Sequence, residues 1–515
     1  MNKLNLIICI ISSVCIPAQA MEQPWIAHSQ QYNLDIESLT KFIGNHKSSP
    51  WLKQRQLNNH AHDALDFITA STNHGLQPDD YHLSTLQQLQ PSLNNSTAQL
   101  FDLLLTDGLL KLIHDISVGR LEATAADPQW FIPQKTFNAK EFLQQALLSK
   151  HLKTELNSLT PNSIEYLKLM EAIARYQRYV DRGGWPEIPE TPLLRPNDTH
   201  QNIAAIQARL AFEDKYLAAT HHVKSSHFDP LMEQAVRRFQ QKYSLKVDGI
   251  FGSETRHAMN ISASERLQQI KITLERHRWM PADLGQRYLM VNLANYTLHG
   301  FENGNSKLDM RVIVGRKNRP TPSFVSKMNR LVYNPYWNVP YKLARLDLLP
   351  KQQQNPNYFY LKDIRVFTIE HGQKIEHDPY DIDWLSVPQK NFPYVLRQDP
   401  GEQNALGRIK FMFPNQWSIY LHDTSHPELF TEVNRSISSG CIRVEDPIAL
   451  AHFSLAENNS QQSVLDIITS NKNRGQKLPK PLSIYATYFT VWLDDNNVRF
   501  SPDVYQRDQQ LAELL

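Results

Sequence analysis

The sequence predicts a multi-domain α+β protein with a helical N-terminal part and a mostly β C-terminal part. Its 515 residues allow two to four domains at about 100–200 residues each. Apolar residues of the first half recur at helical spacing, as Leu105, Leu109 and Leu112 do. From about residue 287 they alternate instead, as in Leu289 and Val291, which is typical of half-buried strands.

The composition excludes two broad classes of protein. The chain has 54 Lys and Arg against 52 Asp and Glu, a formal net charge of +2. Because nucleic-acid binding depends on neutralising many phosphates, this balance argues against a general polyanion-binding role. Hydrophobic residues make up 41% and charged residues 21% of the chain. This composition suits folded cores and excludes an intrinsically disordered chain.

Residues 1–20 have the pattern of a cleaved secretory signal. Lys3 precedes an apolar run over 4–16, and Ala-Gln-Ala follows at 18–20. The run is short for a bilayer-spanning helix, which needs about 20 residues; an uncleaved anchor is the alternative. No other stretch of the sequence is apolar and long enough to cross a membrane.

The predicted cleavage changes the cysteine count. Of the three cysteines, Cys9 and Cys15 lie in the signal, so only Cys441 would remain. A single thiol cannot form an internal disulfide. In an exported protein, such a thiol is either buried as a small apolar side chain or used chemically.

Residues 21–190 are predicted to form a helical scaffold domain. Ser96 and Gln99 have the spacing of a capping box before a periodic apolar run, and Gly119 is placed to end that helix. An earlier helix is predicted to end near Gly75. No catalytic pattern occurs in this region.

A Pro-rich segment over 184–198 is predicted to be an extended linker. The unit after it, 196–262, has two helical patterns and a third short one. Val236, Phe239 and Tyr243 share one face of the second helix. The sequence therefore predicts a small three-helix domain here.

Residues 270–500 are predicted to form the β domain. Asn303-Gly304 marks a hairpin turn within it. Residues 341–400 are rich in Pro, Gln and Asp, show weak periodicity and are predicted to be an insertion on the sheet. Residues 481–495 are predicted to be a closing hairpin, and 501–515 a C-terminal tail.

The segment around Cys441 suits thiol catalysis. The residues Ser438, Ser439 and Gly440 precede it, and His422 ends a strand-like run upstream. An imidazole within hydrogen-bond reach can take the proton of a thiol. Gly440 permits backbone angles that aim neighbouring amides at one point, where they would stabilise an oxyanion.

The residues alone leave other interpretations open. His422, His426 and Cys441 could hold a metal, although the strand-like texture disfavours the helix that would bring both imidazoles together. Arg443 would meet either a substrate carboxylate or the carboxylates at 445 and 446. No GxSxG pattern supports a serine nucleophile.

Short motifs over 229–260 carry a resemblance to a known domain. They are Ala-Val at 235–236, Phe-Gln at 239–240, Asp-Gly at 248–249, Gly252, Thr255, Ala258 and Asn260. With them the segment resembles the small three-helix peptidoglycan-binding domain. The resemblance implies docking on cell-wall glycopeptide; a spacer that binds nothing is the alternative.

The motifs around the thiol carry a second resemblance. His-Asp-Thr at 422–424 and Ser-Ser-Gly-Cys-Ile-Arg-Val at 438–444 resemble the signature of YkuD-type L,D-transpeptidases. Matching pieces upstream are Val-Gly at 314–315, Thr-Pro at 321–322 and Asn-Pro-Tyr-Trp-Asn-Val-Pro at 334–340. The segments 274–281, 347–350, 378–384 and 397–411 resemble the large YcbB-like subclass, which also has Ser where smaller members have His before the Gly-Cys.

The resemblance implies a role for each residue of the predicted site. Cys441 would be the nucleophile, His422 its base, and the backbone carbonyl of Asp423 would hold the imidazole tautomer. Ser439 and Gly440 would provide oxyanion-binding amides. The predicted substrate contacts are Tyr420, Arg443 and Trp337. The insertion over 341–400 would cap the substrate groove, and neither metal nor cofactor is implied.

The activity implied by the resemblance is that of a peptidoglycan L,D-transpeptidase acting through a thioester on Cys441. The family also implies acylation of this thiol by carbapenems, peptidoglycan and other wall-synthesis proteins as partners, and a periplasmic location. At the same site, hydrolysis would give an L,D-carboxypeptidase, and a lysine acceptor would attach a protein to the wall. A non-catalytic wall-binding scaffold is the remaining alternative.

Overall fold

The computed structural model describes residues 32, 34–44, 49–219, 225–456 and 461–515. The predicted signal over 1–20 lies outside these residues. The chain forms two compact units. The smaller contains the described residues up to Thr72, then Gln77–Ile113 and Asn138–Ser158; the larger contains Asn73–Leu76, His114–Phe137 and Leu159–Leu515. Within the described ranges, no helix has the length and apolar character needed to span a membrane.

Helices and strands are numbered in chain order. The helices are α1 Ile36–Gly44, α2 Asn59–Thr69, α3 Leu83–Leu89, α4 Asn95–Val118, α5 Ala123–Ala126, α6 Ala139–Ala146, α7 Leu152–Asn157, α8 Ile164–Asp181, α9 Ile203–Ala211, α10 Lys215–Ala218, α11 Pro230–Lys242, α12 Ser253–Asn260, α13 Ala263–Trp279, α14 Tyr341–Leu343, α15 Leu349–Gln354, α16 Tyr358–Leu361, α17 Pro447–Leu455, α18 Gln461–Thr469 and α19 Arg507–Ala512. The strands are β1 Leu52–Lys53, β2 Gln56–Leu57, β3 Trp130–Phe131, β4 Arg287–Asn292, β5 Thr297–Glu302, β6 Asn305–Gly315, β7 Ser323–Tyr333, β8 Trp337–Asn338, β9 Ile364–Glu370, β10 Gln373–His377, β11 Val395–Gln398, β12 Ile409–Met412, β13 Leu421–His422, β14 Ser436–Ser438, β15 Ile442–Val444, β16 Arg474–Thr487, β17 Val491–Asp494 and β18 Asn497–Phe500.

The smaller unit is helical, as predicted, but the predicted cap of α4 is wrong. The helix begins at Asn95, one residue before Ser96. Asn94 Oδ1 accepts a hydrogen bond from the Thr97 amide at 3.1 Å, and the Thr97 hydroxyl accepts one from the Asn94 amide at 2.7 Å. Because Asn caps helices as well as Ser does, spacing alone did not identify the cap. The predicted end is confirmed, since α4 ends at Val118.

The sheet of the larger unit closes on itself. Its strand order is β12-β13-β15-β6-β5-β4-β16-β7, and β12 pairs with β7 as well as with β13. The short strands β3 and β14 attach to β7 and β6. Alternating side chains fill the interior, among them the fully buried Leu289, Val312, Leu331 and Ile484. This confirms the predicted mostly β domain.

The insertion is a folded subdomain with its own core. Its four-stranded sheet has the order β10-β9-β11-β8. Buried Leu349, Phe359 and Trp384 belong to the apolar core that this subdomain encloses. Since β8 pairs with β11, the subdomain begins before the predicted boundary at 341.

Predictions for the C-terminal region need correction. Residues 481–495 are not a hairpin: β16 continues to Thr487 between β4 and β7, and the hairpin is β17–β18. The apolar run is continuous here, so alternation did not reveal where one strand ends. The segment 501–515 contains α19, in which Arg507 is 4% exposed. It is therefore packed into the larger unit.

Buried charges on α13 hold distant segments in the larger unit. Arg276 pairs with Asp508 of α19 and lies 3.6 Å from Asp127, which also pairs with Arg507 at 2.6 Å. An unpaired buried charge costs several kcal/mol. These pairs therefore keep the segment 114–137 with the β domain.

A second charged group on α13 holds the loop around His74. Arg278 donates to the His74 carbonyl at 2.9 Å and to the Tyr166 hydroxyl at 3.1 Å, and it pairs with Glu275 at 2.6 Å. The predicted helical domain over 21–190 therefore divides between the two units, because part of it supplies partners for α13.

The predicted small domain consists of α9, α11 and α12, with the short α10 between the first two. Its apolar core continues into α8, α13 and the β17–β18 hairpin through Phe239, Tyr243 and Phe500. The Ser244 hydroxyl also donates to the Phe500 carbonyl at 2.8 Å. The domain thus packs directly on the rest of the larger unit instead of being tethered by the linker alone.

His74 should make the stability of the fold depend on pH. Burial and the Arg278 cation lower the pKa of His74 to about 3. A histidine in the unfolded chain titrates near ~6.5, so on acidification the unfolded chain takes up a proton that the folded chain does not. The free energy of unfolding should therefore fall by about 1.4 kcal/mol per pH unit from this residue as pH drops from about 6.5 toward 3.

The test is equilibrium urea unfolding of the full chain and of His74→Gln between about pH 6 and 4. Gln can still bond to Tyr166 but does not titrate, so the variant should show a pH slope smaller by about 1.4 kcal/mol per pH unit. Equal slopes would contradict the assignment.

Candidate active site

His422 lies at the centre of a row of side chains that crosses the sheet. Its strand β13 pairs with β12 on one side and β15 on the other. This register places Lys410 and Arg443 directly opposite His422 on the two neighbouring strands. Directly paired residues project from the same face of a sheet. The imidazole therefore lies between two cations on one face.

The His422 side chain is a neutral imidazole with a defined tautomer. It is buried, and Nδ1 lies 2.5 Å from the Asp423 carbonyl oxygen. Nδ1–H therefore donates to this carbonyl, which leaves Nε2 as the basic nitrogen. Burial, followed by the Arg443 and Lys410 cations, lowers the pKa of His422 to about 3. The imidazole is thus an unprotonated base at neutral pH.

The Asp423 side chain stabilises the turn next to His422. Its carboxylate accepts hydrogen bonds from the amides of Thr424 and Arg408, each at 2.7 Å. Gly407 packs so closely that an added Cβ would lie 2.3 Å from the carboxylate. Asp423 thus orders the turn behind the histidine with its side chain and contacts the imidazole through its carbonyl.

The peptide before Cys441 adopts a conformation that requires glycine. Gly440 has φ +119°, in the left-handed region that other residues rarely adopt. The nearest atom to an added Cβ would be the Arg319 carbonyl oxygen at 4.0 Å. The backbone angle, and not lack of space, therefore makes glycine necessary here.

Ser438 organises the same loop and changes the predicted oxyanion site. Its hydroxyl donates to the Cys441 carbonyl at 2.6 Å and accepts from the Gly440 amide at 3.1 Å. The Gly440 amide is therefore engaged, contrary to its predicted role. Among the described residues, the amides of Ser439 and Cys441 donate to no protein acceptor. These two remain available to an oxyanion.

The Cys441 thiol is half-buried, and its Sγ lies 3.9 Å from the Ser418 carbonyl oxygen. Burial raises the pKa of the thiol above its ordinary value, while hydrogen bonding with Tyr420 and the Lys410 cation act in the opposite direction. No hydrogen bond joins Sγ to His422 in the described part of the chain. Such pairs often tighten only when substrate is bound.

Tyr420 and Lys410 form a stack beside the base. The Tyr420 ring centroid lies 5.6 Å from that of His422 in an edge arrangement, and Lys410 Nζ lies 3.7 Å from the Tyr420 ring centroid. Burial lowers the pKa of Lys410. Tyr420, the predicted substrate contact, therefore lies beside His422, and Lys410 lies against the Tyr420 ring.

Sequence reasoning missed Lys410. It lies far from Cys441 along the chain, and only the pairing of β12 with β13 brings it beside His422. One sequence signal was available: Ile409 and Phe411 are apolar neighbours in a strand, so Lys410 must project from the opposite face.

Both cations beside His422 lack a carboxylate partner. Within the described ranges, no Asp or Glu forms an ion pair with Lys410 or Arg443. Glu445 instead pairs with Arg311, and Asp446 caps α17. The alternative that Arg443 pairs with these two carboxylates is therefore wrong.

A cavity of about 530 Å³ opens on this face of the sheet. Its lining includes Lys410, Arg330, Tyr336 and Asn338, and contains no Asp or Glu. Trp337, predicted to line the groove, is not part of this lining and packs against the core of the insertion subdomain. Cys441, His422 and Arg443 are not among the lining residues, so Lys410 is the residue that relates this cavity to the histidine.

The insertion subdomain is attached beside the thiol. Asp347 in this subdomain pairs with Arg319 and, at 3.3 Å, with Arg316. Arg319 also donates to the Ser439 hydroxyl at 3.2 Å. One carboxylate therefore connects the insertion to the loop that carries Cys441.

The residues of the metal alternative do not converge. His426 is exposed and lies 3.0 Å from Glu428, while His422 Nδ1 faces a backbone carbonyl. The described ranges contain no group of three or more His, Cys, Asp or Glu side chains able to hold a metal ion.

The electrostatics predict that Cys441 and His422 are both neutral at pH 7. We expect the rate of Cys441 alkylation by iodoacetamide to rise with pH, with a midpoint above the ordinary thiol value of about 8.5. Labelling of the full chain is followed by peptide mass spectrometry, with Cys441→Ser as the control for Cys9 and Cys15. A rate plateau from about pH 5 to 7 would indicate a thiolate–imidazolium pair and contradict this account.

Comparison with known proteins matches three segments of the chain to domain families. Residues 286–461 match the family model of the YkuD "L,D-transpeptidase catalytic domain". Residues 41–173 match a "Scaffold domain" and residues 199–259 a "Putative peptidoglycan binding domain". Cys441, His422 and Lys410 all lie within the first match.

A curated relative and several solved structures are similar to this chain. A Haemophilus influenzae protein named "Putative L,D-transpeptidase" is 38% identical over 229 residues, 44% of this chain and 46% of the relative. The match thus spans about half of the relative. An L,D-transpeptidase structure from Xylanimonas cellulosilytica has 11% identity and TM-score 0.18, covering 58% of this chain and 100% of its own. One from Stackebrandtia nassauensis has 11% identity and TM-score 0.21, covering 58% and 96%. At these TM-scores the structural likeness carries no argument.

Proposed function

We propose that this chain, which carries a YkuD-type L,D-transpeptidase catalytic domain and a peptidoglycan-binding domain, is a peptidoglycan L,D-transpeptidase that forms 3→3 cross-links. The observation that carries the proposal is the neutral His422, held by the Asp423 carbonyl on the strand next to Cys441. A thiol beside a base of fixed tautomer suits two-step acyl transfer.

The first step acylates the thiol. Cys441 Sγ attacks the carbonyl carbon of the third residue of a tetrapeptide stem, a diaminopimelate, while His422 Nε2 takes the thiol proton. The Ser439 and Cys441 amides stabilise the oxyanion of the tetrahedral intermediate. His422 then gives its proton to the leaving D-Ala amine, the carbon–nitrogen bond breaks, and a thioester remains.

The second step transfers the acyl group. The side-chain amine of a second diaminopimelate attacks the thioester carbonyl, His422 takes a proton from this amine, and the thiolate leaves and is reprotonated. Attack by water instead would make the protein an L,D-carboxypeptidase. The insertion subdomain, attached through Asp347 beside Cys441, supports transfer because a covered site limits access of water.

The two unpaired cations indicate how the donor is recognised. The leaving D-Ala carries a carboxylate a few bonds from the scissile carbonyl. Lys410 and Arg443 flank His422 and have no carboxylate of their own within the described ranges. A charged substrate carboxylate would satisfy both cations. We therefore assign them to carboxylate binding.

The other domains support a role at the cell wall. The peptidoglycan-binding domain shares an apolar core with α13 and the β17–β18 hairpin, so it would present glycan at a fixed distance from the thiol. Residues 1–20 would export the chain to the periplasm. A carbapenem would acylate Cys441 as a substrate analogue.

Product analysis tests the proposed reaction. The purified wild-type protein and the Cys441→Ala variant are each incubated with disaccharide-tetrapeptide, and the masses of the products are measured by mass spectrometry. We expect the wild type alone to give a dimer lacking one D-Ala. Tripeptide monomer without dimer would establish hydrolysis, and identical products from both proteins would contradict the enzymatic proposal.

Lys410→Met tests carboxylate recognition. Loss of a charged hydrogen bond of about 1.5–3 kcal/mol should raise the KM for the donor about tenfold or more. Lys327→Met, at an exposed strand position of the same sheet, is the matched control and should change little. A donor with an amidated C-terminus should bind both wild type and Lys410→Met equally weakly. If Lys410→Met lowers kcat alone, the lysine acts on the thiol and not on the carboxylate.

A further inference from the structure

The loop between β6 and β7 binds the Gly440 carbonyl through a hydrogen bond. The Thr321 hydroxyl donates to the Gly440 carbonyl at 2.8 Å and accepts from the Gly315 amide at 2.9 Å. Thr321 is fully buried. These bonds attach the peptide that leads into Cys441 to both ends of the 315–321 loop.

Tyr505, near the C-terminus, closes the same loop. Its hydroxyl donates to the Gly315 carbonyl at 2.5 Å and accepts from the Thr321 amide at 3.5 Å. Burial raises the pKa of Tyr505, so the hydroxyl keeps its proton at neutral pH. One side chain from outside the matched catalytic domain, which ends at 461, thus bridges the two ends of the loop.

Tyr505 is itself held firmly. Its ring stacks on that of Tyr488 with centroids 5.4 Å apart, and its amide donates to the Tyr488 hydroxyl at 3.0 Å. That hydroxyl donates to Asp503 at 2.7 Å, and Asp503 accepts from the Arg507 amide at 3.0 Å at the start of α19. Arg507 belongs to the buried ion cluster with Asp127.

The geometry of one peptide links these contacts to the oxyanion. The Gly440 carbonyl and the Cys441 amide belong to the same planar trans peptide, in which C=O and N–H point in opposite directions. Fixing the carbonyl on Thr321 therefore fixes the direction of the Cys441 N–H. This amide donates to no protein acceptor in the described structure.

We propose that Tyr505 is a positioning residue for the reaction: through Thr321 it aims the Cys441 amide at the oxyanion. This inference rests on the proposed function, because it concerns the same acyl transfer. It also assigns the C-terminal segment 501–515 to the completion of the site. The Tyr505 hydroxyl bonds to the backbone of Gly315 and Thr321 and would act through them.

The kinetic test is Tyr505→Phe in the full chain, which removes the hydroxyl alone. We expect kcat to fall about tenfold, part of the 10²–10³ lost when an oxyanion donor is removed outright. KM for the donor and the pH midpoint of Cys441 alkylation should stay unchanged, because Lys410, Arg443 and His422 are not disturbed. Unchanged kcat would overturn the proposal.

Matched variants separate positioning from general packing. Tyr485→Phe loses a hydroxyl that donates to the Leu284 carbonyl at 3.3 Å and should keep wild-type kcat. Thr321→Ser should retain activity because it keeps the hydroxyl, whereas Thr321→Val should match Tyr505→Phe. Equal losses in Tyr485→Phe and Tyr505→Phe would show a packing effect and overturn the proposal.

Hydrogen exchange tests the inference without any activity. The Gly440 amide, bonded to Ser438, reports on order in the loop, and mass spectrometry of peptides covering 436–444 measures its exchange. Exchange should be faster in Tyr505→Phe than in wild type and Tyr485→Phe. Unchanged exchange would overturn the positioning role. Inactive wild-type protein with the expected exchange pattern would contradict the proposed function, and would show that Tyr505 orders the loop without serving this reaction.

Discussion

The site depends on the placement of β13 between β12 and β15. This two-residue strand ends at His422, and its register sets a cation on each side of the imidazole. Burial and these cations keep the imidazole neutral, and the Asp423 carbonyl fixes its tautomer. A strand within a closed sheet cannot slip without moving its neighbours, since a one-residue shift reverses every side chain. The pairing of these strands therefore sets the positions of His422 and the two cations.

The charges of Lys410 and Arg443 affect the strength of His422 as a base. Lys410 and Arg443, which have no carboxylate partner in the described part of the chain, weaken the base, since each cation disfavours the imidazolium. A bound carboxylate would offset their field and raise the pKa of His422, so the base would gain strength when donor occupies the site. Lys410 and Arg443 also oppose the effect of burial on the thiol. In the proposed mechanism, substrate charge would thus be coupled to the proton transfer that begins acylation.

The sequence identified candidate site residues that lie close together along the chain, and missed those that only contacts between distant segments bring to the same place. Cys441 and His422 lie within one short segment, and the helical and β parts of the chain follow from apolar periodicity. Lys410 becomes visible only through strand pairing, and Tyr505 only because buried ion pairs dock α19 on the sheet. The end of β16 was misplaced because apolar residues continue across it. The Gly440 amide, predicted to bind an oxyanion, instead donates to the Ser438 hydroxyl. Local sequence patterns do not determine such contacts between distant segments.

The proposed mechanism requires Cys441 to carry the acyl group between two stem peptides. Intact-protein mass spectrometry of the full chain tests it most directly. The chain is mixed with a donor tetrapeptide whose diaminopimelate side-chain amine is acetylated, so that the donor cannot act as acceptor, and the reaction is rapidly quenched. We expect an adduct equal to the donor minus D-Ala, mapped to Cys441 and discharged when an amine acceptor is added. An adduct on another residue, or cross-linked product from a chain that never carries an adduct, would contradict it.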